Sequence, residues 1–266
     1  MFAKGVVVKT EYFRKLLLPV GFLMLVLAIW QLADTVLEIK RIILPSPLEI
    51  TKESFGRAGE LLRATGVTAM AACIGFAISM ILGTVLALVF SASRLARQAV
   101  YPYMILLQTV PIVAIAPLVV IWFGGGLPSM IVIVTTISVF PIITNVTTGL
   151  TTVDAGLIDL MNLYQANRVQ VLFKLRLPNA VPYLLAGARV AAGLTIVGAI
   201  VGEYMAGHDI NHRGLGYYIF MSSQNFQTEI LYASILLSTL LGVAMVGFVS
   251  LLGKTFLKRW TYQIQS

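Results

Sequence analysis

The residues that most resemble a catalytic motif lie near the C-terminus, where Gly253, Lys254 and Thr255 look like the end of a nucleotide-binding loop. Such a loop needs a first glycine at a fixed distance, but Phe248 occupies that position and Gly247 lies one residue too far away. The surrounding run is apolar, whereas a phosphate-binding loop follows a strand of a soluble fold. We therefore predict that the chain has no ATPase activity, no catalytic residue and no cofactor of its own.

Metal-binding residue types are few. Cys73 is the only cysteine, so a disulfide within the chain is impossible, and its alanine and glycine neighbours favour a small packing residue. His208 and His212 lie four positions apart, but Gly207 and Gly214 predict a loop there rather than a helix with both histidines on one face. We predict no metal site.

Glu203 is an acidic residue beside a long stretch of apolar and small residues. A charge at the centre of a bilayer costs roughly 2.5 to 3.5 kcal/mol on insertion scales, so this side chain should face protein or water. Two interpretations stay open: Glu203 lines or gates a path, or it is solvated at the outer interface near His208 and Asp209. Gly198 and Gly202 have the spacing that lets helix backbones approach closely, within the chain or across a dimer.

Composition indicates the environment of these residues. Hydrophobic residues make up 58% of the 266, charged residues make up 11%, and the mean hydropathy is +0.90, whereas about 25% of residues are charged in soluble proteins. A spanning helix needs roughly 20 mostly apolar residues. We predict an all-α membrane protein with a single transmembrane domain over residues 1–266. Its six helices should lie at about 16–33, 66–91, 100–123, 127–150, 181–206 and 230–252.

Basic residues orient the helices in the membrane. Placing the N-terminus inside gives the cytoplasmic side more lysine and arginine than the outer side, as the positive-inside rule requires. We predict a multi-pass inner-membrane protein with both termini cytoplasmic, and the net charge of +8 then reflects attraction to anionic lipid rather than to nucleic acid. The cytoplasmic basic residues would be Lys4, Lys9, Arg14, Lys15, Arg94, Arg97, Arg168, Lys174, Arg176, Lys254, Lys258 and Arg259.

Prolines and polar residues interrupt the third and fourth predicted helices. Pro111 and Pro117 fall in the third and Pro141 in the fourth, and each removes a backbone donor that protein or water must compensate. Single prolines and hydroxyls in membrane helices also serve packing. Taken together they favour a polar translocation pathway, for which the candidate residues are Gln108, Thr109, Thr135, Ser138, Asn145 and Glu203.

The segment 159–178, DLMNLYQANRVQVLFKLRLP, is polar and basic between long apolar runs. Its spacing resembles the cytoplasmic EAA loop of ABC importer permeases, in which an acidic residue is followed by glycine six positions later, isoleucine ten after that, and then Leu-Pro. Those positions hold Asp159, Gln165, Leu175 and Leu177-Pro178. An amphipathic helix lying on the inner membrane surface would explain the charges, but not this spacing.

Further motifs extend the resemblance over about residues 44–260. The chain is similar to binding-protein-dependent permeases, most closely the branch for sulfonate, taurine, nitrate and pyrimidine-precursor uptake. The matching segments are LPSPLEI, TVPIVAIAPLVVIWFGGG, FPIITNVTTGLTTVD, LPNAVPYLLAGARVA, IVGAIVGEYMAG and RGLGYYI.

This resemblance implies the six-helix, MetI-like fold of a type I importer permease. The implied partners are a second permease copy, commonly identical, a cytoplasmic ABC ATPase dimer that binds ATP and Mg²⁺, and an external solute-binding protein. The implied cargo is a small solute: an organic anion such as a sulfonate or taurine, the inorganic anion nitrate, or a pyrimidine or vitamin precursor.

The resemblance also implies an ATPase-coupling site on a short helix from about 156 to 165 and the residues that follow. Because Gln165 replaces the loop glycine, we expect either Asn167 to adopt the left-handed turn or the helix to continue through Gln165. The predicted coupling residues are Asp159, Leu160, Leu163, Tyr164, Gln165, Arg168, Leu177 and Pro178.

Two other functions remain as alternatives. An ion-coupled secondary transporter would need a coupling-ion site and usually shows an internal repeat, and neither is evident in the sequence. A non-transporting membrane scaffold would explain the apolar packing, but not the interrupted third helix or the long basic segment.

Overall fold

The computed structural model describes residues 3–38, 40–206 and 212–264, with side chains described over 17–38, 40–206 and 212–255. The regular elements in those ranges are helices. In chain order they are α1 (Ala3–Leu37), α2 (Pro47–Gly56), α3 (Ala58–Ala92), α4 (Arg94–Thr109), α5 (Ile112–Phe123), α6 (Leu127–Thr151), α7 (Ala155–Leu163), α8 (Arg168–Val171), a π-helical turn (Leu172–Arg176), α9 (Leu177–Ala206), α10 (Leu215–Gln224) and α11 (Thr228–Ile264).

Five helical segments of the described chain are long and apolar enough to cross a membrane, and a bent pair makes a sixth if it counts as one span. The prediction of an all-helical membrane protein with six apolar segments is therefore confirmed, with the third segment as the special case. The five are Leu17–Leu37, Ala58–Ala92, Leu127–Thr151, Arg168–Ala206 and Thr228–Thr255.

The third predicted span is two helices rather than one. α4 and α5 meet at an angle of 100°, with Val110 and Pro111 between them. The expected interruption by Pro111 is therefore confirmed, but the prediction of one continuous helix over 100–123 is wrong. Pro117 lies inside α5 without ending it. The turn that follows uses the freedom of glycine, since Gly124 and Gly126 have φ angles of 79° and 86°.

The chain separates into two compact units, and α10 and α11 each contribute to both. The prediction of a single membrane domain stays a prediction. One unit comprises residues 1–58 and 221–233. Within it, α2 begins at a capping box formed by Ser46 and Glu49, Glu49 forms an ion pair with Arg41 at 2.7 Å, and the Thr228 hydroxyl donates to the Arg41 carbonyl.

The other unit comprises residues 59–220 and 234–266, and its core is built on α6 and α9. Four apolar clusters join these helices to α3, α5 and α11, and their members include Val134, Ile142, Ala192 and Ile133. Small residues dominate α9, so its backbone approaches its neighbours closely. The buried apolar side chains therefore hold α6 and α9 as one rigid pair.

Glycines set the distance between α6 and α9. A Cβ added to Gly198 would lie 2.9 Å from the Cα of Val134, and one added to Gly202 would lie 3.1 Å from the Cα of Met130. The glycine spacing predicts a close helix contact either within the chain or across a dimer, and the structure shows the contact within the chain. Cys73, in contrast, is exposed on α3, so its predicted role as a packing residue within the chain is wrong.

Candidate coupling segment and pathway residues

The segment between α6 and α9 begins with α7, an exposed helix of nine residues. The Asp154 carboxylate accepts hydrogen bonds from the backbone N–H groups of Gly156, at 2.7 Å, and Leu157, at 3.3 Å. These bonds satisfy donors that have no partner inside the helix, and the negative charge suits a helix N-terminus. The predicted short helix at about 156–165 is confirmed, ending slightly earlier at Leu163.

Gln165 ends α7 in a left-handed conformation, with φ of 52°. Its N–H donates to the Asn162 carbonyl at 2.9 Å, and the Ala166 N–H donates to the Met161 carbonyl at 3.0 Å. This pair of bonds is a Schellman motif, which usually has glycine at the left-handed position. Both expectations for this turn were wrong, because Asn167 has φ of −75° and the helix does not continue through Gln165. The hydrogen bonds hold the glutamine where a glycine is usual.

Two polar attachments join the end of this segment to the helices of the core. Asn167 and Gln170 form a reciprocal capping box at the start of α8, and the chain then passes through the π-helical turn into α9 without interruption. The Arg176 guanidinium donates to the Ser91 carbonyl at the end of α3, and Asn179 donates to the Gly149 carbonyl of α6 at 2.7 Å. The segment is therefore attached to three core helices, α3, α6 and α9.

Apolar side chains are exposed on α7 and the residues after it. Leu163 and Tyr164 are 78% and 75% exposed, and Leu160 is 49% exposed. Val169 and Phe173 are also exposed. Two of the predicted coupling residues, Asp159 and Arg168, are exposed beside them. Apolar groups of this size gathered on one exposed segment are typical of a surface that another protein covers.

Leu177 and Pro178 are the first two residues of α9. Both are partly buried, and Leu177 packs against the apolar cluster that includes Ile142 and Leu150. They attach the segment to the core, whereas Leu163 and Tyr164 form its exposed surface.

The polar residues predicted to line a pathway occupy different environments. Ser138 is fully buried, and its hydroxyl lies 2.8 Å from the Ser79 hydroxyl of α3 and donates to the Val134 carbonyl. The Thr135 carbonyl accepts from Ser79 at 3.2 Å. These bonds join α3 to α6 in this conformation. Asn145 is partly buried, and its amide donates to the Pro141 carbonyl one turn earlier on α6 at 2.8 Å.

Gln108 and Thr109 lie at the exposed end of α4, next to the bend. The Thr109 hydroxyl donates to the Leu106 carbonyl at 2.7 Å. Both residues lie at the break between α4 and α5, and this location does not test their role in a pathway, which stays a prediction.

Glu203 joins three helices inside the core. Its side chain is fully buried on α9, and its Oε2 atom accepts hydrogen bonds from the Thr68 hydroxyl of α3 at 3.0 Å and from the Gly216 N–H of α10 at 2.7 Å. The Thr68 hydroxyl in turn accepts from the Leu215 N–H at 2.9 Å. The carboxyl group therefore holds the start of α10 against α3 and α9.

Glycine is required around this carboxyl group. A Cβ added to Gly214 would overlap the Glu203 carboxylate, and one added to Gly216 would lie 2.8 Å from the Cβ of Glu203. Glu203 faces protein, as expected, but its interpretation as a solvated interfacial residue is wrong because it is fully buried. His208 and Asp209, invoked in that interpretation, lie outside the described residues.

Sequence reasoning missed the partners of Glu203 and a second group of polar residues. Thr68, Gly214 and Gly216 become significant only through contacts distant in sequence, although the alternation of glycine in RGLG marks a backbone that must pass close to another group. The second group lines a cavity between α4 and α6. Regular spacing of threonines at three and four residues near the end of α6 is the signal that could have identified it: Thr144, Thr147, Thr148, Thr151 and Thr152.

The chain is similar to several known proteins. Residues 79–260 match the family model described as the binding-protein-dependent transport system inner membrane component. The formylaminopyrimidine transport permease protein ThiX of Halalkalibacterium halodurans is 30% identical, and the alignment covers 88% of this chain and 91% of that protein. The taurine transport system permease protein TauC of Escherichia coli is 26% identical, with coverage of 95% and 92%.

The fold is similar to that of a solved transporter. An inward-facing structure of the MetNI methionine ABC transporter aligns with a TM-score of 0.61 over 77% of this chain and 98% of the matched chain. The two sequences are 18% identical, so the similarity concerns the fold.

Proposed function

Because the chain belongs to the family of binding-protein-dependent transport system inner-membrane components, we propose that two copies of it form the translocation pathway for a small anionic solute. The chain is a multi-pass inner-membrane permease subunit of an ABC importer and is not an enzyme. An external binding protein delivers the solute. A pair of cytoplasmic ATPase subunits, which bind ATP and Mg²⁺, supplies the energy, and both termini of the permease lie on that cytoplasmic side.

The observation that carries this proposal is the exposed apolar surface of residues 157–173, defined here as the coupling surface, on a segment bonded into the core. Leu160, Leu163 and Tyr164 enter a groove of the ATPase, where their burial stabilises the complex. Arg168 and Lys174, both exposed, suit an acidic rim of that groove or lipid headgroups.

Movement reaches the far side of the membrane through α9. This helix has 30 residues, so it is about 45 Å long, and it connects the coupling surface at one end with Glu203 near the other. Since α6 and α9 are packed as a rigid pair, displacement of the ATPases moves both together, and the contact of Glu203 with Thr68 and Gly216 carries that movement to α3 and α10. Rigid-body motion of this kind can alternate inward and outward openings.

The proposed transported solute is a small anion. Taurine carries a sulfonate group and is named in one relative, while another relative is named for a formylaminopyrimidine. Arg97 lines the cavity between α4 and α6, and its guanidinium makes no ion pair or hydrogen bond within the described residues, which favours an anionic solute over a neutral one.

The purified permease provides a direct test of this division of labour. We expect the isolated, contaminant-free chain to show no ATP hydrolysis, and the complex with its cognate ATPase to hydrolyse ATP in proteoliposomes. A phosphate-release assay on both preparations measures this. Sustained ATP turnover by the isolated chain would contradict the proposal.

A further inference from the structure

A cavity of about 460 Å³ lies between α4 and α6, at the end of α6 that leads into the coupling segment. Thr151 is the last residue of α6, and Asp154, the cap of α7, follows three residues later. The cavity therefore adjoins the part of the chain that moves with the ATPase in the proposed function. Its lining residues are Arg97, Gln98, Tyr101, Pro102, Thr147, Thr148 and Thr151.

Hydrogen-bond donors in this cavity are unevenly available. The hydroxyl protons of Thr148 and Thr151 are donated at 2.8 Å to the carbonyl groups of Thr144 and Thr147 on their own helix. A hydroxyl has only one proton, so these two threonines cannot also donate to a ligand. The Thr147 hydroxyl is different, because it is buried and has no hydrogen-bond partner within the described residues.

A buried hydroxyl without a hydrogen-bond partner destabilises the folded state, so native proteins seldom contain one. Thr147 is only 5% exposed, yet it belongs to the cavity wall. Its oxygen atom is enclosed in this conformation, so the free donor reaches an occupant of the cavity once the side chain turns about its Cα–Cβ bond.

The charge of the cavity indicates the class of occupant. Arg97 is partly buried, and its guanidinium makes no ion pair or hydrogen bond within the described chain. The lining contains no carboxylate that would neutralise it. An arginine fork with up to five N–H donors can bond two oxygens of a sulfonate, nitrate or phosphate group at the same time.

We propose that this cavity is an oxyanion-binding site in which the Arg97 guanidinium and the Thr147 hydroxyl hold the anionic group. Gln98 and Tyr101 offer further donors from the next turns of α4. Two sources could supply the group: the transported solute at the inner end of its path, which rests on the proposed function, or the phosphate of an inner-leaflet lipid.

Thermal unfolding of the detergent-purified permease–ATPase complex tests the site. With methanesulfonate as the probe, and chloride at the same ionic strength as the reference, we expect the midpoint of unfolding to rise by about 2–4 °C at saturation. Arg97→Gln should abolish the rise. Thr147→Val, which is nearly isosteric and removes only the hydroxyl, should reduce it, and this second variant keeps the test valid if Arg97→Gln fails to assemble.

Matched controls separate binding from general electrostatics. Arg94→Gln removes an exposed charge from the same helix outside the cavity, and Thr152→Val removes a threonine hydroxyl that lies outside the lining and donates to the Thr148 carbonyl, so both variants should keep the full methanesulfonate response. An equal response in wild type, Arg97→Gln and Thr147→Val would overturn the proposal.

Native mass spectrometry distinguishes the two sources. Retention of phosphatidylglycerol by wild type but not by Arg97→Gln would support the site with lipid phosphate as its occupant. If wild type shows neither a methanesulfonate response nor lipid retention that depends on Arg97, the site does not exist. Solute uptake by wild-type proteoliposomes is measured in parallel, so that loss of the site with uptake intact is distinguishable from failure of the proposed function.

Discussion

Gln165 occupies a backbone conformation that suits glycine better than a residue with a Cβ. A left-handed conformation costs a residue with a side chain about 1–2 kcal/mol, and replacement by glycine relieves this strain. Part of the resulting gain in stability is lost because glycine loses more conformational freedom on folding. We expect Gln165→Gly to stabilise the purified chain by about 0.5–1 kcal/mol, measured by its thermal unfolding. Gln165→Ala keeps the Cβ and should give no such gain, so equal stability of the two variants would show that the turn is not strained.

Glu203 contributes through the two hydrogen bonds that its Oε2 atom accepts from Thr68 and Gly216. Glutamine keeps an acceptor oxygen but places an NH₂ group at the Oε1 position, which has no hydrogen-bond partner within the described residues, and an unsatisfied buried donor costs about 1–3 kcal/mol. We expect Glu203→Gln to insert normally, to lose roughly 1 kcal/mol of stability, and to impair uptake in proteoliposomes. Glu60→Gln, an exposed change on α3, is the control and should behave as wild type. Normal uptake by Glu203→Gln would remove this residue from the transport mechanism.

At the scale of elements, the contact of α6 with α9 depends on the absence of side chains. A Cβ on Gly198 would lie 2.9 Å from the Val134 Cα, which is backbone and cannot move aside cheaply. We expect Gly198→Val to destabilise the protein by about 1–3 kcal/mol, as overpacking does. Gly247→Val is the matched control on α11, because its Cβ would meet nothing within 4 Å. Denaturant or thermal unfolding in detergent measures both, and equal stability would contradict the described packing.

The apolar segments and the short coupling helix could be predicted from the sequence because hydrophobicity and local capping are encoded locally. The break at Pro111 was also predictable, since proline removes a backbone donor. Its 100° angle was not, because the angle depends on packing of α5 against α6 and α9. α2 was missed although Ser46 and Glu49 carry the spacing of a capping box.

The site was less predictable than the fold. Glu203 was identified as a candidate from its charge, but its partners Thr68 and Gly216 lie on two other helices, and no local pattern joins them. Gln165 was judged by its intrinsic preference for negative φ, and the hydrogen bonds of the surrounding turn overrode that preference. In both cases long-range or cooperative contacts decided the outcome.

At the scale of the whole molecule, the compact unit of residues 59–220 and 234–266 contains the coupling surface, the rigid α6–α9 pair and the Glu203 contact. These are the parts that a permease needs to convert movement of a cytoplasmic partner into movement across the membrane. The central claim is that the coupling surface is where the partner binds.

Substitution of the exposed residues of the coupling surface tests that claim most directly. The measurement is co-purification of the ATPase with the permease, together with solute uptake in proteoliposomes. Leu163→Asp or Tyr164→Asp places a charge on an apolar contact, and we predict that either change abolishes ATPase association and uptake while the permease still folds and inserts. Leu95→Asp, at an equally exposed leucine of α4, should leave association unchanged. Normal assembly and uptake with either coupling-surface variant would contradict the account.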